Sequence, residues 1–161
     1  MASPQSIKAV AEIVLSHLKK DTTIAVFSAF GGVTNDLLNM ATLAAREDES
    51  YKEILERNEK RHIDAVRDLI PIQHQSSILS RVKTEFNRLE TLYEGVYLLN
   101  ELSNKTMHVV SGFGEILSSA IIAEYFKSLS VDAEFLDSRE LIVCKNNNEK
   151  VQVNYERTYS N

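Results

Sequence analysis

The sequence predicts a helix-rich α/β fold, and three observations support this prediction. An amphipathic segment near the N-terminus is followed by a short, uninterrupted apolar run. The middle of the chain, residues 36–103, has helical periodicity over most of its length. Short segments near the C-terminus have the apolar and β-branched composition of strands. At 161 residues, 43% of them hydrophobic, the chain is expected to form one domain, residues 1–161.

The first two predicted elements are a helix and a strand. Pro4 suits the first turn of a helix, and an apolar face follows it: Ile7, Val10, Ala11, Val14 and Leu18. Residues 23–27 form a continuous β-branched and apolar run, which is typical of a strand buried on both faces of a parallel sheet. Such a strand needs a neighbour, and only Met1 and Ala2 precede the helix. We therefore expect that a preceding strand has been removed from this chain.

The middle of the chain predicts a long helical hairpin. One apolar series ends at Pro71, which cannot continue a helix: Ile54, Leu55, Ile63, Val66, Leu69 and Ile70. A second series indicates the second helix: Ile78, Leu79, Val82, Phe86, Leu89, Tyr93, Val96 and Tyr97. No repeat or Gly/Pro-rich linker divides the chain, so we expect no internal domain boundary.

The segment after Lys105 is apolar on nearly every side, and Glu115 is the only charged residue within residues 109–123. A helix of this composition is expected to be buried. An isolated buried carboxylate is costly, so Glu115 needs a cation, several hydrogen-bond donors or a shifted pKa. Residues 131–137, 141–146 and 151–156 then have the composition of short strands, and the turn Asp137-Ser138-Arg139 ends the first of them.

Composition excludes several classes of function. The net charge of −5 argues against a general nucleic-acid surface, which would need a basic face. The single cysteine, Cys144, permits no intrachain disulfide or thiolate zinc cluster, and we expect it to be an inert core thiol. The four histidines have no metal-ligand spacing, so no metal site is expected. No secretory signal and no apolar run of about 18 residues were recognised, so we expect a cytoplasmic protein with no membrane partner.

A loop with small and hydroxyl side chains joins the first predicted strand to the next helix. It contains Ser28, Gly31, Gly32 and Thr34. Ligands of open α/β sheets bind where strands end and helix N-termini direct free N–H groups at anions, so this loop suits a carboxylate or a phosphate. The glycines complete neither a P-loop nor a dinucleotide fingerprint. The alternative is that Thr34 caps the helix and the glycines only turn the chain.

The loop and Glu115 together suit an amino acid, because the loop offers donors to a carboxylate and the glutamate attracts an ammonium group. This combination leads to a resemblance. The stretch VFSAFGGVTNDLL resembles the strand-loop-helix motif of the aspartokinases, VSGFGEILSSAIIA is similar to their Gly-Glu helix, and AEFLDSRE resembles the segment that follows. The motifs occur in the same order with the expected spacing, and the similarity extends over essentially the whole chain. The Ser-x-x-Gly-Glu form, from Ser111 to Glu115, is slightly longer than the shortest version of that motif.

The resemblance implies a transferase that uses ATP to make 4-phospho-L-aspartate, an early step in the biosynthesis of lysine, threonine and methionine. It implies that Ser28, Thr34 and Glu115 bind L-aspartate, with Gly31 and Gly32 supporting the loop. It also implies a three-layer αβα sandwich, truncated here and carrying the long helical hairpin as an insertion.

The departures from the family pattern limit what we expect of this chain. The family's opening strand with its phosphate-contacting lysine is missing, and so are the later arginine, the acidic catalytic residue, the nucleotide lobe and the regulatory domains. We therefore expect an N-terminal, aspartate-binding part with no catalytic residue, no kinase activity of its own and no bound ATP or magnesium. Its uncovered edges predict self-association. A fusion to homoserine dehydrogenase in the parent protein is weakly favoured by the stretch EGVYLLNELS.

Two alternatives remain at this stage. Another amino-acid kinase, such as a glutamate or uridylate kinase, would share the α/β architecture but should lack the helical insertion and the Gly-Glu helix in this arrangement. A helical interaction module without catalysis would leave Glu115 without a chemical purpose.

Overall fold

The computed structural model of the protein describes residues 4–18, 23–147 and 150–160. Most of these residues are helical. The helices are α1 (Pro4–Leu18), α2 (Val33–Ala44), α3 (Tyr51–Leu69), α4 (Gln75–Leu99), α5 (Asn104–Ser111), α6 (Phe113–Ser128), α7 (Ser138–Leu141) and α8 (Tyr155–Thr158). A 3₁₀ turn, Ile72–His74, precedes α4, and the strands are β1 (Cys144–Asn147) and β2 (Lys150–Val153).

The predicted helical hairpin is confirmed by α3 and α4, which pack against each other. Helix α3 ends at Leu69, two residues before Pro71, as the sequence predicts. The hairpin is fastened to α2 as well, because the hydroxyl of buried Tyr93 donates a hydrogen bond to the carbonyl of Leu37 at 3.0 Å. Helix α2 therefore packs against both helices of the hairpin.

Helix α6 forms the centre of the core, as its composition predicts. Eleven of its sixteen residues are buried, and they lie on all sides of the helix. It packs against α2, α3 and α4. The N-terminal helix is confirmed too: it begins at Pro4, and Ile7 and Ala11 are its buried residues. These contacts place the start of α6 directly beside the loop that precedes α2.

The predicted parallel sheet is not formed by the described residues, and this corrects the sequence interpretation. Residues 23–27 are not assigned to a strand, and Ile24 and Val26 are 87% and 92% exposed instead of buried. Residues 131–137 are likewise not part of a strand. A strand is stable only when another strand pairs with its backbone, and the sheet among the described residues consists of two other strands near the C-terminus. The three-layer sandwich is therefore not confirmed.

The sheet that does form is a two-stranded antiparallel ribbon near the C-terminus. Strand β1 pairs with β2 so that Cys144 lies opposite Val153. The sequence predicted strands here, but it also predicted that Cys144 is a core thiol, which is wrong because Cys144 is exposed. Lys145 and residues 151–153 are exposed as well, so these parts of the ribbon do not enclose the thiol in an apolar core.

The expectation that no apolar run reaches membrane-spanning length also needs correction. Residues Asn104–Ser128, which comprise α5 and α6, are long and apolar enough to cross a bilayer by length and composition. However, 56% of the residues in the apolar window of this stretch are buried inside the fold. A core helix passes the same test, so packing within the protein accounts for this composition.

Candidate functional site

The loop before α2 has a conformation that depends on glycine. The carbonyl of Phe30 accepts a hydrogen bond from the Val33 N–H at 2.9 Å, which closes a tight turn. Gly32 is the N-cap of α2, with a φ of +84° in the left-handed region that favours glycine. Thr34 lies in the first turn of the helix and makes no side-chain cap, so the alternative in which Thr34 caps α2 is wrong.

The first turn of α2 leaves backbone donors available for a ligand. The N–H groups of the first helical turn have no acceptor within their own helix, and they carry the positive end of the helix dipole. The Asp36 N–H bonds to the carbonyl of Gly32 at 3.0 Å. In the part of the chain that the structure describes, the amides of Thr34 and Asn35 have no such backbone acceptor. This end of α2 therefore suits a carboxylate or phosphate.

Helix α6 approaches the loop so closely that one of its residues must be glycine. A Cβ atom built on Gly114 would lie 2.7 Å from the Cβ of Ala29 and 3.3 Å from Cγ1 of Val33. These distances are shorter than ordinary contacts between carbon atoms. The absence of a side chain at Gly114 thus allows the first turn of α6 to rest on the loop and on α2.

Glu115 follows this contact and keeps part of its carboxylate out of water. The residue as a whole is half-buried, but Oε2 is buried and has no hydrogen-bond partner among the described residues. A buried carboxylate oxygen without a donor is unfavourable. The sequence required a partner for this group, and the described part of the chain provides none for Oε2. A ligand with an ammonium group would be a suitable partner.

Ser118 connects the loop to the turn that carries Glu115. Its hydroxyl is fully buried and lies 3.0 Å from the carbonyl of Ser28 and 3.2 Å from the carbonyl of Glu115. The backbone of Ser28 and the backbone of Glu115 are therefore neighbours, and Thr34 follows Val33, which contacts the same turn of α6. The structure brings the segments that carry all three predicted residues together. That their side chains share one ligand remains a prediction.

Helix α3 holds the other side of the loop. Nη1 of Arg61 donates to the carbonyl of Gly31 at 2.7 Å, and Nδ2 of Asn58 donates to Oδ2 of Asp36 at 2.9 Å. The ring of Phe30 stacks on the ring of His62, with centroids 4.8 Å apart. Asn58 lies one helical turn before Arg61 and His62, so the three side chains are on the same side of α3 and can all reach the loop and the start of α2.

His62 is neutral in this arrangement. Burial lowers its pKa to about 4, since the charged imidazolium would be poorly solvated. Its Nδ1–H donates to the carbonyl of Asn58 at 2.7 Å, and its Nε2 has no partner among the described residues. Phe30 on one side and Phe86 on the other enclose the ring. His62 is thus a packing element under the loop.

A cleft of about 390 Å³ opens between α1 and α3, next to the loop. Cationic and anionic side chains surround an apolar floor; the lining residues are Pro4, Ile7, Phe30, Arg57, Lys60, Arg61, Asp64, Ala65 and Asp68. Ser28, Thr34 and Glu115 do not line it. The cleft is therefore distinct from the site that the sequence predicts.

The Asp137-Ser138-Arg139 turn forms a compact ion pair at the start of α7. The guanidinium of Arg139 bonds both carboxylate oxygens of Asp137, at 2.6 Å through Nη2 and 2.9 Å through Nε. These hydrogen bonds hold the pKa of Asp137 below its usual range. In the described part of the chain, no group of three or more His, Cys, Asp or Glu residues is placed to bind a metal ion.

Comparison with known proteins identifies the family of this chain. The sequence model of the amino acid kinase family matches residues 1–159. The chain belongs to the amino acid kinase family. The resemblance to aspartokinases that the motifs indicated is confirmed by the relatives described next.

The relatives in this family are named aspartokinases. The chain is 30% identical to aspartokinase 1, chloroplastic, of Arabidopsis thaliana, over 88% of the chain and 24% of the relative. It is 24% identical to bifunctional aspartokinase/homoserine dehydrogenase 1, chloroplastic, of Zea mays, over 89% of the chain and 15% of the relative. It is 26% identical to the aspartokinase of Schizosaccharomyces pombe, over 84% of the chain and 28% of the relative. The chain thus spans less than a third of the length of these relatives.

Sequence reasoning missed Ser118 and Arg61 as residues that contact the loop. A serine in an otherwise apolar helix is a detectable signal, because a buried hydroxyl needs a partner. Arg61 gave no such signal, since it lies among many charged residues on a surface helix. Neither contact could be located without the packing of α3 and α6 on the loop.

Proposed function

We propose that this chain is the aspartate-binding part of an aspartokinase, an enzyme that phosphorylates the side-chain carboxylate of L-aspartate with ATP. The proposal is supported by the buried Oε2 of Glu115, which has no hydrogen-bond partner among the residues that the structure describes and lies on a helix that contacts the donor-rich loop. The chain also belongs to the amino acid kinase family. A monocarboxylate ligand without an ammonium group would leave that oxygen unpaired.

In the proposed complex, Glu115 pairs with the α-ammonium group of aspartate. Ser28, Thr34 and the free N–H groups at the start of α2 donate to a carboxylate of aspartate. This arrangement holds the substrate at both ends, so that an oxygen of its side-chain carboxylate faces the γ-phosphorus of ATP. In the transfer, that oxygen bonds to the γ-phosphorus while the bond from the γ-phosphorus to the β,γ-bridging oxygen breaks, and ADP leaves with that oxygen. Such a transfer depends chiefly on positioning and charge neutralisation.

The loop lacks the Gly-Lys-Ser/Thr sequence of a P-loop. Among the described residues, no group of three or more His, Cys, Asp or Glu side chains is placed to bind a metal ion. We therefore assign no nucleotide contact to this chain, and its proposed contribution is to recognise the acceptor. A cytoplasmic location and a role in the biosynthesis of lysine, threonine and methionine belong to the same proposal.

The test uses the complete reading frame that contains this chain. We expect the purified product to release ADP from ATP when L-aspartate is added, and not when glutamate or uridine monophosphate replaces it. Glu115→Gln should raise the KM for aspartate by roughly tenfold or more, because a charge-assisted hydrogen bond is lost. Glu124→Gln is the matched control, since Glu124 lies on the same helix and pairs with Lys127 at 2.8 Å.

The alternatives predict different results. Activity that depends on another acceptor, and not on aspartate, would identify a different amino acid kinase. The absence of phosphoryl transfer to any acceptor would favour a helical interaction module. An unchanged KM for aspartate in Glu115→Gln would refute the assignment of Glu115.

A further inference from the structure

We infer that Ser118 and Arg61 are positioning residues that clamp the loop 28–32 from two sides and thereby set the affinity for the substrate. Each donates a hydrogen bond to a loop carbonyl: Ser118 to Ser28 at 3.0 Å, and Arg61 to Gly31 at 2.7 Å. The two accepting carbonyls are three residues apart and are held by different helices, α6 and α3. The effect on substrate affinity rests on the proposed function, whereas the clamp itself does not.

The burial of Ser118 indicates that its contact with the loop is specific. Serine in a helix commonly bonds a carbonyl of its own preceding turn, and Ser118 also lies 3.2 Å from the carbonyl of Glu115. Its contact with Ser28 is shorter and joins residues 90 positions apart. Because Ser118 is fully buried, water cannot replace it as the donor to that carbonyl. The hydroxyl therefore fixes the loop and the turn of Glu115 relative to each other.

Arg61 acts on the opposite end of the loop. Its guanidinium bonds the carbonyl of Gly31 and lies 6.0 Å from the centre of the Phe30 ring. The same ring stacks on His62, so both the backbone and a side chain of the loop are held by α3. With its carbonyls directed toward α3 and α6, the loop keeps a fixed path into the left-handed Gly32. That path determines where the free N–H groups of α2 point.

The clamp predicts a specific change in substrate kinetics. Ligand binding to a loosened loop must first restore the bound geometry, which weakens binding without altering the chemical step. In the complete enzyme, Ser118→Ala and Arg61→Gln should each raise the KM for aspartate roughly fivefold, as expected for the loss of one hydrogen bond. The KM for ATP and kcat should stay within twofold of the parent values. Arg61→Lys, which keeps a cationic donor, should recover part of the affinity.

Matched controls distinguish the clamp from a general loss of structure. Ser119→Ala removes the neighbouring, half-buried hydroxyl, and Lys60→Gln removes the neighbouring cation, which pairs with Asp64 on its own helix. Both control variants should retain the parent kinetics. If Ser118→Ala does not fold, Arg61→Gln still tests the clamp, because Arg61 lies near the surface of α3.

Amide hydrogen exchange of this chain tests the clamp without relying on any activity. Exchange of the peptide that covers residues 28–36 should accelerate roughly fivefold in Ser118→Ala and Arg61→Gln, and should not change in the controls. Unchanged exchange in both variants would overturn the clamp. Faster exchange with an unchanged KM for aspartate would overturn its link to substrate affinity. If the complete enzyme ignores aspartate while exchange responds as stated, the proposed function fails and the clamp stands.

Discussion

Replacing Gly114 with alanine should destabilise the protein, although alanine is the better helix former. The added methyl group would lie 2.7 Å from the Cβ of Ala29, 3.3 Å from Cγ1 of Val33 and 3.6 Å from Cδ1 of Leu37. Favourable contacts between carbon atoms lie at about 3.5–4.0 Å, so the first of these distances is about 1 Å too short. Ala29 has no side-chain torsion with which to move away. The backbone of the loop or of α6 must therefore shift.

The size of the change in the free energy of unfolding depends on two opposing effects, the steric overpacking and the helix propensity of alanine. Overpacking of a tightly packed site costs about 1–3 kcal/mol. Alanine in place of glycine gains up to about 1 kcal/mol in a helix interior, and less at Gly114, which is only the second residue of α6. The difference predicts a decrease of about 1–2 kcal/mol in the free energy of unfolding.

Urea denaturation followed by far-UV circular dichroism measures this quantity. The midpoint should fall while the slope with urea stays constant, as expected for a change in stability alone. Gly95→Ala is the matched control, because a Cβ on Gly95 of α4 meets no atom within 4 Å. This control should be more stable than the parent by up to about 1 kcal/mol. If Gly114→Ala is at least as stable as the parent, the close approach of α6 to the loop is refuted.

Three further predictions concern protonation, capping and assembly. Because the pKa of His62 is lowered to about 4, its contribution to stability is complete above pH 6.5 and is lost as the pH falls toward 4. Lowering the pH from 7 to 5 should therefore reduce the free energy of unfolding by about 2 kcal/mol more in the parent than in His62→Phe. Urea denaturation at each pH measures this difference, and equal losses in both proteins would contradict the prediction. Ser103→Ala should reduce the free energy of unfolding by about 1 kcal/mol in urea denaturation, because the Ser103 hydroxyl accepts the Thr106 N–H at the start of α5. An unchanged free energy of unfolding would refute the capping role. The exposed apolar side chains of residues 23–27 should make this chain self-associate, and a strictly monomeric species at high micromolar concentration in light scattering coupled to size exclusion would contradict this.

The helices were predictable because their signal is local. The apolar residues of α3 and α4 recur with a period that one segment contains entirely, and Pro71 marks the boundary between the two helices. The apolar run at residues 23–27 has an equally clear composition, but a strand also needs a partner from a distant part of the chain. The sheet among the described residues does not include this segment, and Ile24 and Val26 are exposed. The composition of this segment predicts its propensity to form a strand, but it does not predict whether another strand will pair with it.

The sequence singled out the residues of the candidate site, but it did not indicate which residues hold the loop in place. Glu115 stood out because a charge in an apolar helix requires a reason, and Gly32 because a glycine pair precedes a helix. The clamping bonds of Ser118 and Arg61 go to backbone carbonyls, which every residue possesses. A backbone carbonyl cannot be recognised as an acceptor from the sequence, so its side-chain donor can be identified only when the packing of the helices is known.

The two hydrogen bonds that hold the loop each join residues that are far apart in the sequence, but the two separations differ greatly. This difference predicts the order in which the two contacts form during folding. The bond from Arg61 spans 30 residues and the bond from Ser118 spans 90. Closing a longer segment costs more chain entropy and takes longer, so the contact with α3 should form first. The contact with α6 then completes the loop only when the central helix docks. A nascent chain that has not yet released α6 from the ribosome therefore carries the loop without its second anchor, and the loop is completed only after α6 has been synthesised.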